Sequence, residues 1–149
     1  MVSIPPSRGI TGNITFQNVT SIEDSAFNYC TNLTNVTIPN VTNIGYSAFM
    51  YCSSLTSIIM TNVTSIGTGA FSGCSGLTDV TIGSRIQGIG DSAFSTYGSP
   101  ITLTIEKTVA EVQAMGTTDY YSTTNVPYSD WGLPSGSTIV CTDGTITIE

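Results

Sequence analysis

The sequence is organised around an Ala-Phe pair that recurs at a nearly constant spacing. The four pairs are Ala26-Phe27, Ala48-Phe49, Ala70-Phe71 and Ala93-Phe94. Their period of about 22 residues is typical of repeat proteins, in which each copy is one structural unit stacked on the next. This period constrains the fold more than any other feature, because the equivalent side chains of all four copies must find equivalent surroundings.

Other residues recur in register with the Phe. In the first three copies a Cys follows it at the third position and a Leu at the sixth, and in all four an Ile precedes it at the fifth. Triplets such as Val36-Thr37-Ile38 have the period of a short strand, and glycines mark the turn before the Ala-Phe segment: Gly45, Gly67 and Gly90. We expect that segment to form a single helical turn with Ala and Phe facing inwards. One strand and one turn in each repeat is the geometry of a leucine-rich-repeat coil.

A single coil of this length has too few apolar side chains to offset the entropy of ordering its backbone. Stacked coils bury each other's faces, so stability is shared between neighbours. The prediction is therefore a leucine-rich-repeat solenoid over residues 1–105, α/β or mainly β in class. It has about four coils, each of roughly 22 to 23 residues, and a parallel β-sheet on the concave face. Ile14 and Phe16 match the strand positions, so half a coil precedes the first full repeat.

The repeat stops at Glu106, and residues 106–149 are predicted to be a C-terminal cap made of a helix and a hairpin. Thr108 to Met115 indicates a short helix, with Thr108 and Glu111 spaced as a capping box. Residues 138–148 alternate around Asp143-Gly144, a two-residue hairpin signal. A solenoid needs a distinct unit to cover its last coil. The alternative is an aromatic ligand site around Trp131, which is accompanied by Tyr120, Tyr121 and Tyr128.

The repeat phrases resemble a known family. SAFNYCTNLTNVTIPN, SAFMYCSSLTSI and GAFSGCSGLTDVTIG are similar to the BspA-like (Treponema-type) leucine-rich repeats of bacterial surface proteins, and the resemblance covers residues 14 to 105. TVAEVQAM, Trp131-Gly132 and TIVCTDGTITI are similar to segments that close such arrays. The resemblance implies a curved parallel-sheet solenoid, a cell-surface or extracellular location, and a role in adhesion.

Composition excludes several partners. Charged residues make up 9% of the chain, the only basic residues are Arg8, Arg85 and Lys107, and the net charge is −7. Three cations cannot neutralise a run of phosphates, so neither nucleic acid nor an anionic membrane surface is an expected partner. No apolar stretch is long enough to insert into a membrane. The N-terminal segment MVSIPPSRGITGN lacks the charged start and apolar run of a signal peptide, which leaves either an intracellular protein or a trimmed exported one.

Catalysis, cofactors and metals are not expected. The chain has no His, which removes the commonest general base and zinc ligand. Cys30, Cys52 and Cys74 are predicted to form a buried ladder of reduced thiols about 4.8 Å apart, not a metal site or disulfides. No two carboxylates have a spacing that favours glycosidase chemistry. Six Asn-x-Thr triplets are interpreted as turn and strand chemistry, not as glycan acceptors: those at Asn13, Asn18, Asn32, Asn35, Asn40 and Asn62.

The candidate binding site is the outward face of the predicted sheet. One row of side chains lies between the buried strand positions and a second row beside it, forming a small, hydroxyl-rich surface with little charge. The first row is Thr15, Thr37, Ile59, Thr81 and Thr104, and the second includes Asn35, Ser57 and Asp79. This face predicts a non-catalytic binding or adhesion module that contacts protein or glycan. Two alternatives stay open, a solvated face chosen for strand propensity and a spacer within a larger surface or phage-tail-like assembly.

Overall fold

The computed structural model describes residues 9–115 and 130–149, together with the backbone of one further strand, Ser3–Ile4. Each coil contributes one strand of two residues and one of four or five, which explains why the two kinds of strand alternate along the chain. The described residues contain twelve strands and one helix, which are β1 Ser3–Ile4, β2 Gly12–Thr15, β3 Ser21–Ile22, β4 Leu33–Thr37, β5 Asn43–Ile44, β6 Ser57–Met60, β7 Ser65–Ile66, β8 Asp79–Ile82, β9 Gly88–Ile89, β10 Thr102–Ile105, α1 Val109–Gln113, β11 Thr138–Val140 and β12 Thr145–Thr147.

The strands form two sheets that run along the stack of coils. The short-strand sheet has the order β1-β3-β5-β7-β9, and the long-strand sheet has the order β12-β11-β10-β8-β6-β4-β2. All neighbouring strands are parallel apart from the last pair, β11 and β12. This parallel-sheet solenoid of about four turns confirms the coarse architecture predicted from the repeat.

The Phe residues of the repeat form one continuous column in the interior. Phe27, Phe49, Phe71 and Phe94 are fully buried, and neighbouring ring centroids are 5.1, 5.3 and 5.5 Å apart. Phe16 extends the column at its N-terminal end, with its centroid 5.7 Å from that of Phe27. The predicted half coil before the first repeat is therefore present, and the interior is shared between coils.

The Ala-Phe segments are not the helical turns that the sequence predicts. They form consecutive turns in which two residues per coil have left-handed backbone conformations, such as Ser25 with φ of 58° and Tyr29 with φ of 61°. Backbone groups point along the stack as a result. The Phe27 N–H donates to the Ala48 carbonyl at 2.7 Å and the Tyr29 N–H to the Met50 carbonyl at 2.8 Å. These bonds between coils alternate with bonds inside the segment, such as that from the Asn28 N–H to the Ser25 carbonyl at 3.1 Å, so the segment is not a helical turn. Ala and Phe still face inwards as expected.

The turn glycines allow the coils to approach closely. A Cβ atom at Gly67 would lie 2.7 Å from both the Gly45 carbonyl carbon and the Tyr46 amide nitrogen. At Gly90 the equivalent atom would lie 2.4 Å from the Thr68 amide nitrogen. These distances are shorter than van der Waals contact, and the opposing atoms are backbone atoms. Glycine is therefore required here by packing between coils.

The Asn-x-Thr triplets support this stacking. The Asn62 side-chain amide donates to the Pro39 carbonyl at 2.6 Å, and the Thr64 hydroxyl donates to the Thr42 carbonyl at 2.9 Å. Asn40 and Thr42 make the corresponding bonds one coil earlier. Asn and Thr of these two triplets thus satisfy carbonyl groups of the preceding coil, in agreement with their interpretation as turn and strand chemistry.

The C-terminal segment contains a short helix and a hairpin. Thr108 caps α1, and its capping box with Glu111 is present as predicted. Hydrogen bonds from the Thr108 backbone and hydroxyl lower the pKa of Glu111. The Cys141 N–H donates to the Gly144 carbonyl at 2.8 Å, so the two residues at the tip are Thr142 and Asp143, one position before the expected Asp143-Gly144. Residues 141–144 connect the strands, and the Asp143 carboxylate accepts a 2.7 Å hydrogen bond from the Val109 N–H.

Trp131 continues the coil-to-coil ladder. The Phe94 N–H donates to the Trp131 carbonyl at 2.7 Å, and the Ser92 N–H donates to the Asp130 carbonyl at 2.6 Å. The Trp131 side chain is fully buried, so its ring cannot act as an open platform for a ligand. Tyr120, Tyr121 and Tyr128, which the aromatic-site alternative also names, lie outside the described residues.

Candidate functional site

The structure places the eight predicted site residues together on one face of the long-strand sheet. The pairing runs from Thr15 to Thr37, Ile59, Thr81 and Thr104 in directly adjacent register. Asn35, Ser57 and Asp79 form the neighbouring row. Alternate residues of these strands, such as Val36, Ile58 and Val80, are buried. The alternation of a strand with one buried face therefore sends both rows outwards.

This face is wider than the sequence predicts. The strand pairing adds Val140 and Thr145 to the first row, and Thr138 and Thr147 to the second. The face thus spans seven strands instead of five, or roughly 30 Å at the usual strand spacing. The alternation of Thr and apolar residues over 138–147 is the sequence feature that could have indicated these two additional strands. The parallel pairing of β11 with β10 was not visible, because nothing local specifies that contact.

The two rows differ in how their polar groups are used. In the second row the Asn35 side-chain amide donates to the Asn13 carboxamide oxygen at 2.8 Å, and the Ser57 hydroxyl donates to the Asn35 oxygen at 2.8 Å. These bonds link successive coils. In the part of the chain that the structure describes, the hydroxyls of Thr37 and Thr81 have no such partner. The first row therefore offers free hydroxyls beside a second row whose Asn35 and Ser57 are hydrogen-bonded between coils.

Ile59 is the apolar centre of the face. Its side chain is 55% exposed and lies between Thr37 and Thr81. Asp79 is the only charged residue of the two rows, and its carboxylate accepts a 2.8 Å hydrogen bond from the Thr78 hydroxyl.

The Cys ladder is structural. Cys30, Cys52 and Cys74 are buried and form no disulfide. They do more than pack as small hydrophobic groups, because the Cys52 thiol donates to the Phe27 carbonyl at 3.1 Å and the Cys74 thiol to the Phe49 carbonyl at 3.0 Å. A hydrogen bond with Cys52 and burial together raise the pKa of the Cys74 thiol well above its ordinary value. The nucleophilic thiolate is thus disfavoured at this position.

Among residues 9–115 and 130–149, no cluster of three or more His, Cys, Asp or Glu side chains could hold a metal ion. Over the same residues, no helix has the length and apolar character needed to cross a membrane. Two sheets of mostly parallel strands, wound around a column of apolar side chains, define a solenoid of the leucine-rich-repeat class. Domains of this class commonly mediate protein interactions and are typically non-catalytic.

Comparison with known families identifies the type of repeat. The model of the BspA type leucine-rich repeat region matches residues 10–122 in six copies. Because the match covers more than half of the chain, the protein belongs to this family, and the resemblance seen in the repeat phrases is confirmed. The family is associated with bacterial surface proteins. Searches among curated proteins and among solved structures give no match.

Proposed function

We propose that the chain is a non-catalytic binding module of a bacterial cell-surface protein, and that it contacts a protein or glycan partner through the Thr-rich face of the long-strand sheet. The observation that carries this proposal is the row of free Thr hydroxyls around the exposed Ile59. A hydroxyl both donates and accepts, so the row can bond to peptide groups or to sugar hydroxyls.

The arrangement of the face supports a preformed binding surface. The bonds of Asn13, Asn35 and Ser57 fix the second row across three coils. Where a ligand also contacts the second row, it would meet side chains that have already lost much of their freedom, which lowers the entropic cost of binding. Because the face carries little charge, we expect a partner to bind through contacts between uncharged groups and not through electrostatic attraction.

We also propose that residues 106–149 act as the end unit of the solenoid formed by residues 1–105. Two features support this role. The buried Trp131 follows the last Phe of the column in the backbone ladder, and β11 and β12 complete one edge of the long-strand sheet. An end unit of this kind covers the apolar face that the last coil would otherwise expose.

The experiment is a screen of glycan and protein arrays with the wild type and with the double variant Thr37→Lys/Thr81→Lys. We expect the two lysines, placed on either side of Ile59, to abolish binding seen with the wild type, because they introduce bulk and charge at the centre of the face. Thr31→Lys/Ser75→Lys is the matched control. It adds the same charges at exposed positions with the same separation along the chain.

The expected result is loss of binding in the face variant and retention in the control. Binding that survives in the face variant would contradict the proposed surface. No binding by any of the three proteins would also contradict it, and would favour the alternative of a spacer within a larger surface or phage-tail-like assembly.

A further inference from the structure

A groove crosses the short-strand sheet, which is separate from the Thr-rich face. It consists of two adjoining depressions with volumes of about 260 and 370 Å³, and Asp24 and Asn43 line both of them. Tyr46 and Ser65 border the first depression, while Ser21 borders the second. The groove therefore spans three coils, and both depressions are shallow and open to solvent.

Two side chains in the groove, those of Asp24 and Asn43, each use one polar atom in a hydrogen bond and leave a second polar atom for a ligand. One carboxylate oxygen of Asp24 accepts a 2.8 Å hydrogen bond from the Tyr46 N–H. The Asn43 side-chain oxygen accepts a hydrogen bond from the Ser65 hydroxyl. Within the described residues, the other Asp24 oxygen and the Asn43 amide nitrogen have no partner. The groove thus presents one oriented acceptor beside one oriented donor.

Tyr46 supplies an aromatic surface at the same place. Its side chain is 56% exposed and makes no hydrogen bond to the described residues. The neighbouring coils carry Asp24, Thr68 and Asp91 at this position of the repeat, so the ring is specific to the second coil. An exposed Tyr combines an apolar ring with a polar hydroxyl and loses little entropy when it is covered.

We propose that this groove binds a neutral oligosaccharide. A sugar ring has an apolar C–H face that can cover Tyr46, and vicinal hydroxyls that can bond to the free Asp24 oxygen and the Asn43 amide together. Gly45 and Gly67 line the groove without side chains, so a ligand can approach the backbone. The carboxylate of Asp24 repels acidic sugars. Ile44 and Ile66 line the groove but are almost fully buried, so they offer little apolar surface to a ligand.

The test is NMR titration of the ¹⁵N-labelled chain with maltotriose, cellotriose and chitotriose, and with sialyllactose as the acidic comparison. We expect at least one neutral sugar to shift the amide signals of Gly45, Tyr46 and Gly67, and sialyllactose to bind more weakly. Tyr46→Thr, which places the residue of the third coil in the second, should raise the Kd by about tenfold or more, as expected for loss of a central aromatic contact. Asp24→Asn should also weaken binding. The side-chain oxygen of the new Asn can still accept from the Tyr46 N–H, so this structural hydrogen bond is kept.

Two controls separate this groove from the other surface. Tyr97→Asn removes a tyrosine that is 78% exposed and does not line the groove, and it should leave the Kd unchanged. Thr37→Lys/Thr81→Lys should do the same, so failure of the Thr-rich face and failure of the groove are distinguishable. The inference is overturned if no neutral sugar shifts these amides, or if Tyr46→Thr binds as the wild type does.

Discussion

Phe71→Ala is expected to lower the free energy of unfolding by ~3–5 kcal/mol, the usual cost of emptying a buried aromatic site. The ring is fully buried and lies between Phe49 and Phe94, with centroid distances of 5.3 and 5.5 Å. Removing it opens a cavity between coils and takes away a stacking partner on both sides. Urea unfolding followed by circular dichroism measures the change.

Tyr46→Ala is the control for the loss of an aromatic ring. Because its side chain is 56% exposed, we expect a change within about 0.5 kcal/mol, as for most surface substitutions. Equal effects of the two substitutions would show that the Phe column does not form the common interior of the coils.

Gly67→Ala is expected to destabilise the protein by ~1–3 kcal/mol or more, the range for overpacking. Two effects of this substitution change the free energy of unfolding in opposite directions. Replacing Gly by Ala stiffens the unfolded chain, which by itself would stabilise by ~0.4–1 kcal/mol. The added Cβ, however, would lie 2.7 Å from backbone atoms of Gly45 and Tyr46. These atoms belong to the hydrogen-bonded coil ladder and cannot move alone, so the packing term is larger. Thermal unfolding followed by circular dichroism gives the sign directly.

Gly9→Ala is the matched control, because a Cβ atom there would have no neighbour within 4 Å. This substitution should be neutral or slightly stabilising. The first coil differs from the later ones at this position, because it has Glu23 where they have glycine: Gly45, Gly67 and Gly90. A Gly67→Ala variant as stable as the wild type would refute the close approach of the coils.

The period of the repeat predicted the columns well. Every coil buries the same positions, so a residue such as Phe49 or Cys52 meets its own equivalent one coil away, and the constant spacing alone specifies that contact. The outward direction of Thr37 and Thr81 followed from strand alternation by the same reasoning. These predictions depend on repetition and required no knowledge of distant contacts.

The turns were harder to predict because their conformation depends on neighbouring coils. Ser25 and Tyr29 are not residues that favour left-handed backbone, and only the third copy shows glycine at both positions, Gly69 and Gly73. Those two glycines are the sequence feature that could have indicated the left-handed conformation. Bonds between coils, such as that from the Phe27 N–H to the Ala48 carbonyl, favour this conformation over a helical turn in every copy.

The groove on the short-strand sheet was not visible in the sequence for a different reason. Asp24 and Asn43 are not equivalent positions of the repeat, so the period does not link them. They come together because β5, which begins at Asn43, pairs with β3, and Asp24 begins the turn just after β3. Tyr46 stands out only when its exposure is known, since the other copies have polar residues at this position.

The central claim is that equivalent side chains of successive coils form one continuous interior. Nuclear Overhauser contacts between the ring protons of individually assigned Phe residues test it most directly. The structure predicts contacts for Phe27 with Phe49, Phe49 with Phe71 and Phe71 with Phe94, whose centroids are 5.1 to 5.5 Å apart, and no contact between Phe27 and Phe94. Missing contacts between neighbours, or a contact between the two ends of the column, would contradict the stacked solenoid.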